Sequence, residues 1–168
     1  MEVMDWPGEI YEEPKEHYDE LMKYLKRCTG LLCLIDPDQP SDDKFTAFLG
    51  NLLHDLQFAN RDQQKRIIQK MAFCLSKIDE RQHQHKRYAP NNAIHKILGD
   101  FLMERVREAC APGMVSFNFA CSAVGMYPGH NPPRSNAGID FAGKSIIYDV
   151  RNMKPIGLFD PLEKWLFA

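Results

Sequence analysis

The sequence predicts an α/β fold with three layers, α/β/α, in which a mostly parallel sheet lies between helices. Short apolar runs bounded by polar residues, such as 31–35 and 70–75, have the length and composition of strands buried on both faces. Longer segments with apolar residues at helical spacing alternate with these runs, as expected for βαβ units. A length of 168 residues fits one domain that is large enough to bury a core.

The first half of the chain alternates between strand and helix. Residues 1–4 are predicted as the end of a strand, and proline and glycine at 5–9 indicate a sharp turn. A one-sided apolar stripe predicts a helix over 14–27, before the strand at 31–35. Ser41 is a good N-cap for a second helix with a wide apolar face.

The second half continues this alternation and then becomes irregular. The predicted elements are a buried strand at 70–75, a helix from Pro90 that ends at Pro112, a strand at 114–120, a long loop at 126–144, an edge strand within 145–150 and a terminal helix capped by Asp160. We therefore expect a single domain over 1–168, with its core in 1–125 and a C-terminal strand and helix in 145–168.

Composition argues against several classes of partner. A net charge of −2 gives no electrostatic reason to expect nucleic acid or an anionic membrane. No apolar run approaches the roughly 20 residues that span a bilayer, and no signal peptide opens the chain. The five cysteines are odd in number, include no Cys-x-x-Cys pair and lie mostly in apolar runs. These observations predict a cytoplasmic protein with reduced, packed cysteines.

Three short polar motifs follow three predicted strands. They are Asp5-x-x-Gly8, Ser76-Lys77-x-Asp79 and Ser122-Ala123. Ligands of open α/β sheets bind outside the carboxyl ends of the strands, where these motifs would lie. A carboxylate at Asp79 can accept two hydrogen bonds from a ring with adjacent N–H and NH₂ groups, such as guanine. The lysine stem can lie along the face of the ring.

In this order, the motifs resemble the second part of a P-loop GTPase, over most of residues 1–125. Such enzymes carry a D-x-x-G switch, an [N/T/S]-K-x-D guanine-reading segment and an S-A loop on successive parallel strands. The Asp-Trp-Pro-Gly form is similar to that of the translation-factor-related branch. The segment Lys154–Leu162 resembles, more weakly, the ending of bacterial double-GTPase-like domains.

The resemblance implies that the chain binds GTP or GDP with Mg²⁺. Asp5 would lie near the Mg²⁺ through a water molecule. The Gly8 N–H would bind the γ-phosphate, which makes the next residues a switch that protein partners can sense. Glu9 occupies the place of a glutamine that positions the attacking water, so it is the candidate catalytic residue and also a departure from the family pattern.

The same resemblance assigns the guanine-reading residues. Asp79 would accept both guanine donors, Lys77 would cover the ring and the Ala123 N–H would donate to the guanine O6, within the Ser122-Ala123 loop. Ser76 stands where Asn or Thr is commoner, and Asn usually ties this loop to the phosphate loop.

One expected part of a GTPase is not found in the sequence. A phosphate-binding loop should precede Asp5, where the chain has only four residues, so the predicted fold lacks the first strand and this loop. Hydrolysis of GTP therefore stays open. The alternative is a nucleotide-free protein-interaction module on a degenerate GTPase scaffold.

Two further patterns are interpreted as structural. Gly138–Ser145 matches G-x-x-x-x-G-K-[S/T], but neither a strand before it nor a helix after it is predicted, so we interpret the match as coincidence. His83-x-His85 is predicted to be a solvated loop, because no carboxylate or cysteine is placed to complete a metal shell. Asp36-Pro37-Asp38 either faces the site or only forms a turn.

Overall fold

Three parallel strands form the centre of the fold. The structure is a computed structural model that describes residues 15–38, 43–62, 70–110 and 112–168. The strands are β1 (Gly30–Ile35), β2 (Lys70–Leu75) and β3 (Val115–Ala120). They pair in the order β1-β2-β3, and both pairings are parallel. The predicted α/β class with a parallel sheet is confirmed. The strand end predicted at 1–4 and the turn at 5–9 lie outside the described residues.

Three helices pack with this sheet in one hydrophobic core. They are α1 (Lys15–Leu25), α2 (Asp43–Asp62) and α3 (Pro90–Ala109), and α3 contains a non-helical residue at Gly99. The centre of the core is β2, which is buried from Met71 to Leu75, and the ring of Phe73 stacks on Phe117 with centroids 5.0 Å apart. The Tyr18 hydroxyl of α1 donates to Asp55 of α2 at 2.8 Å. None of the helices described here is long and apolar enough to cross a membrane.

The segment predicted as a long loop contains two β-hairpins. β4 (Met126–Tyr127) pairs with β5 (Arg134–Ser135), and β6 (Ala137–Ile139) pairs with β7 (Ser145–Ile147), both antiparallel. The strand predicted within 145–150 is therefore present as β7. It pairs with β6 in a two-stranded sheet, whereas we predicted an edge strand of the main sheet.

The C-terminal segment runs along the sheet from the carboxyl ends of the strands to their amino ends. Ser122 and Ile156 exchange backbone hydrogen bonds of 2.9 Å just beyond the carboxyl end of β3. A short helix with π-type geometry follows at Leu162–Leu166. Its Trp165 Nε1 donates to the Met71 carbonyl at 3.0 Å, near the amino end of β2. The predicted terminal helix is present, but its cap at Asp160 is wrong, because Pro161 is the N-cap residue and no side chain caps the helix. The helix packs at the amino ends of the strands, opposite the candidate site.

Candidate functional site

The carboxyl ends of β2 and β3 bring two of the three predicted motifs together. The Ile78 N–H donates to the Cys121 carbonyl at 3.3 Å, and the Cys121 N–H donates to the Leu75 carbonyl at 2.8 Å. The loops 76–79 and 121–123 are therefore neighbours at one edge of the sheet, as the parallel arrangement predicts. The third motif, with Asp5, Gly8 and Glu9, lies outside the described residues.

Lys77 has an unusual backbone conformation. Its φ is 52°, and it is the one non-glycine residue in the described segments with a positive φ. Strained residues of this kind persist where the surrounding structure holds them, and they are common at functional sites. The Lys77 side chain is half exposed, and its Nζ lies 2.5 Å from Asp36 Oδ2 in the loop after β1.

The ion pair between Lys77 and Asp36 shifts the pKa of both partners. The hydrogen bond to Asp36 raises the pKa of Lys77 above its ordinary value. Burial alone would raise the pKa of Asp36, but hydrogen bonds from Lys77 and from the Asp38 N–H, with the nearby positive charge, lower it overall. Each charge therefore favours the ionised form of its partner, and the loops after β1 and β2 are connected at this point.

Ser76 and Ser122 hold the two loops to their neighbours. Both the N–H and the Oγ of Ser76 donate to the Ile35 carbonyl, at 2.8 and 3.0 Å, so Ser76 ties its loop to the end of β1. Ser122 is buried, and its Oγ accepts a hydrogen bond from the Gly125 N–H at 2.8 Å. Ala123, the next residue, is exposed to solvent.

Asp79 is buried, which the sequence did not predict. Its side chain is only 5% exposed, and Oδ2 accepts a short hydrogen bond from the Ser135 hydroxyl of β5. Gln84 Nε2 donates to the carbonyls of Asp79 and Pro133, each at 3.0 Å. The first hairpin thus covers the carboxylate that we predicted to face a ligand.

The covering hairpins are held by a residue that the sequence did not single out. Asn136 is fully buried, and its side chain accepts from the Asp149 N–H and donates to the Asp149 carbonyl, both at 2.9 Å. Its own N–H donates to the Gly125 carbonyl at 3.0 Å. An asparagine in a polar stretch gives no signal of burial, so Ser135 and Asn136 could not be predicted from the sequence.

The Gly138–Ser145 match to a phosphate loop is a β-hairpin. The strand β7 begins at Ser145, where a phosphate loop would lead into a helix. Inside the turn, Asp140 Oδ1 accepts from the N–H groups of Ala142 and Lys144 at 2.8 and 2.9 Å. This local geometry agrees with our interpretation of the match as coincidence.

Two buried thiols lie beside the site. Pairing with Cys121 and burial raise the pKa of Cys74, whereas the hydrogen bond from Cys74 lowers the pKa of Cys121. Both residues are buried and neither forms a disulfide, which fits the packing role predicted for them.

The prediction of a solvated loop at His83 and His85 is wrong for His83. The His83 ring is buried and lies against Asp38 and Glu80, whereas His85 is exposed. Asp38 belongs to the loop after β1, far from His83 in the sequence, so the sequence pattern could not reveal that they meet.

No family model matches this chain, and no match is found among curated proteins or solved structures.

Proposed function

We propose that this chain is a guanine-nucleotide-binding, GTPase-like domain with a three-layer, P-loop NTPase-like fold. The observation that carries the proposal is the contact between the Lys77 and Ala123 loops at the carboxyl edge of the parallel sheet. The φ of 52° at Lys77 adds to it, because a strained lysine at a sheet edge is typical of a binding site. Its reduced cysteines fit the cytoplasm that we propose for it.

The proposed roles follow from the chemistry of each group. Asp79 accepts the guanine N–H and NH₂ groups, the Lys77 stem covers the ring, and the Ala123 N–H donates to O6. Ser76 and Ser122 hold these loops in place. The Mg²⁺ at Asp5, the γ-phosphate contact of Gly8, the catalytic role of Glu9 and a protein partner that senses this switch rest on the resemblance alone.

Ser135 is hydrogen-bonded to the Asp79 oxygen that guanine would use as an acceptor. Its hydroxyl donates to Asp79 Oδ2, as a guanine N–H would, and it accepts from the Ala137 N–H at 3.0 Å. Binding therefore requires the Ser135 side chain to leave the carboxylate. We expect Ser135→Ala to strengthen guanine-nucleotide binding, because it removes the competing donor.

The experiment is a titration of the chain with a fluorescent GDP analogue and Mg²⁺. We expect Asp79→Asn to weaken binding at least tenfold, because the amide places a donor against a guanine donor (an unpaired buried polar group costs about 1–3 kcal/mol). The same variant should gain affinity for xanthosine diphosphate, since xanthine carries an oxygen where guanine carries the NH₂ group. Asp19→Asn, on the exposed surface of α1, is the control.

A protein-interaction module without nucleotide is the second candidate, and the burial of Asp79 under Ser135 favours it. In such a module the carboxylate would serve only to hold the hairpin. The same titration separates the two functions. Absence of binding at millimolar nucleotide, in both the natural chain and Ser135→Ala, would rule out the guanine site and favour the module.

A further inference from the structure

A buried histidine beside the loops after β1 and β2 lacks a hydrogen-bond partner. The His83 side chain is 3% exposed, and neither ring nitrogen makes a hydrogen bond. Burying an unpaired polar group costs about 1–3 kcal/mol. A buried polar group without a partner therefore needs an explanation, and an ion bound at the site is one such explanation.

Two carboxylates face this ring. His83 Nε2 lies 2.8 Å from Asp38 Oδ2 and 3.9 Å from Glu80 Oε2. The shorter distance is within hydrogen-bond range, but the ring N–H does not point at the oxygen, so the contact is not a hydrogen bond. One ligand atom from each residue lies within 4.8 Å of the others. Ligands at about 2.0–2.2 Å from one ion are about 3.0–3.5 Å apart, and the two distances from the ring, 2.8 and 3.9 Å, lie on either side of this range.

We propose that Asp38, Glu80 and His83 bind a divalent cation, and that Zn²⁺ fits the site best. An imidazole nitrogen with two carboxylate oxygens is a donor set that suits zinc, whereas Mg²⁺ and Ca²⁺ prefer oxygen alone. The Asp38 and Glu80 side chains are 54% and 36% exposed, so the ion has a path from solvent. Water completes the coordination on that side.

The surroundings support these ligands. Gln82 Nε2 donates to Glu80 Oε2 at 2.8 Å and orients the carboxylate, as outer-shell groups do at metal sites. Lys77 forms its ion pair with Asp36 and also adds positive charge near Asp38 and Glu80, while Lys86 Nζ donates to the Pro37 carbonyl at 3.4 Å. In the described part of the chain, neither lysine is within ion-pair distance of Asp38 or Glu80, so both carboxylates can still reach an ion beside the ring.

The ion joins the two loops that contain Asp36 and Lys77. Asp38 lies two residues after Asp36, and Glu80 directly follows Asp79. Zinc thus fixes the loop after β1 against the loop after β2, and its role is structural. This inference is independent of the proposed nucleotide site, because no contact with a nucleotide enters it.

The test uses the full chain, freed of metal with a chelator and titrated with zinc sulfate in a calorimeter. We expect one equivalent of Zn²⁺ to bind. Asp38→Asn, Glu80→Gln and His83→Ala should each weaken binding at least tenfold, by comparison with the roughly 10–100-fold losses seen when outer-shell partners are changed. His85→Ala removes an exposed histidine two residues away and should leave binding unchanged.

Cobalt provides a second readout, because its absorption reports the ligand atoms. The Co²⁺-loaded chain should show bands for nitrogen and oxygen ligands and no thiolate charge-transfer band. A thiolate band would overturn the proposal, since the ion would then be held by cysteines. Failure to bind one equivalent of zinc would also overturn it. Zinc binding that survives Asp38→Asn and Glu80→Gln would overturn it as well. Asp38 is exposed and Glu80 is partly exposed, so both variants should fold, and circular dichroism can check this.

Discussion

At the scale of single residues, Asp36 and Lys77 connect the loops after β1 and β2 through opposite charges 2.5 Å apart. Because the pKa of Asp36 is lowered in the folded chain, its contribution to stability is present above the unfolded pKa of about 3.9 and is lost as the pH falls through the folded value. The pKa of Lys77 is raised, so its contribution is fully present below the unfolded pKa of about 10.4 and is lost as the pH rises through the higher folded value.

This linkage predicts how Asp36→Asn changes stability with pH. Asparagine can keep the oxygen that accepts from the Asp38 N–H, but it removes the charge and replaces the oxygen that accepts from Lys77 with an NH₂ group. At pH 7 we expect a loss below about 1 kcal/mol, since both side chains are partly exposed and solvent screens the pair. Urea denaturation at pH 3, 5 and 7 measures it. The difference between natural chain and variant should shrink toward pH 3. A difference that stays constant with pH would contradict the ion pair.

The sequence located the loops 76–79 and 122–123 at the carboxyl ends of the strands, but it did not predict the burial of Asp79. The strand at 70–75 ends in a polar tetrapeptide, which placed Ser76 to Asp79 at the sheet edge correctly. The burial of Asp79 depends on Ser135, which is 56 residues away in the chain. Local patterns carry no information about such a distant partner, and the same limit applies to His83 and Asp38.

At the scale of elements, the two hairpins depend on Asn136. Asn136→Ala would leave the N–H and carbonyl of Asp149 without their partners in a partly buried turn. We expect a loss of about 2–3 kcal/mol in the free energy of unfolding, the cost of unpaired buried polar groups. Urea denaturation followed by circular dichroism measures this change.

The matched control for Asn136 is Asn92→Ala, at an exposed position on α3, which should change stability by less than about 0.5 kcal/mol. Equal stability of both variants would show that the hairpins do not depend on Asn136. Because Asn136 adjoins Ser135, we also expect Asn136→Ala to make Asp79 more accessible to a ligand.

Hairpins with strands of two or three residues explain why the segment 126–144 was predicted as a loop. β4 and β5 have two residues each, so neither can show an alternating pattern. Pro, Gly and Asn are frequent there and favour turns. The pairing of β6 with β7 extends by one more bond, from the Tyr148 N–H to the Asn136 carbonyl.

At the scale of the whole molecule, the sequence predicted the sheet and helices well. The strand predicted at 31–35 is observed at 30–35, and that at 70–75 has the predicted bounds. Buried strands of a parallel sheet are continuous apolar runs, which makes them visible without homologues. The wide apolar face of α2 and the proline at the start of α3 likewise made these two helices recognisable from the sequence.

The C-terminal helix packs at the amino ends of the strands, and the candidate site lies at their carboxyl ends. Trp165 donates to the Met71 carbonyl at 3.0 Å, and Lys70 Nζ donates to the Trp165 carbonyl at 2.9 Å and lies over the indole, 5.8 Å from its centroid. We expect Trp165→Ala to lower the free energy of unfolding by about 2 kcal/mol, less than the roughly 3–5 kcal/mol for a fully buried tryptophan, because this side chain is half-buried.

Two companion variants separate packing from hydrogen bonding at Trp165. Trp165→Phe keeps an aromatic ring and loses the N–H, so we expect a loss of about 1 kcal/mol for the one hydrogen bond to the Met71 carbonyl. Phe167→Ala, at a side chain 56% exposed, should have almost no effect. Urea denaturation followed by circular dichroism measures the free energy of unfolding of all three variants. Trp165 lies at the amino ends of the strands and Lys77 at their carboxyl ends. We therefore expect the Trp165 variants to bind zinc and nucleotide as the natural chain does, at urea concentrations below the unfolding transition. Loss of binding without loss of stability would contradict this separation of the two edges.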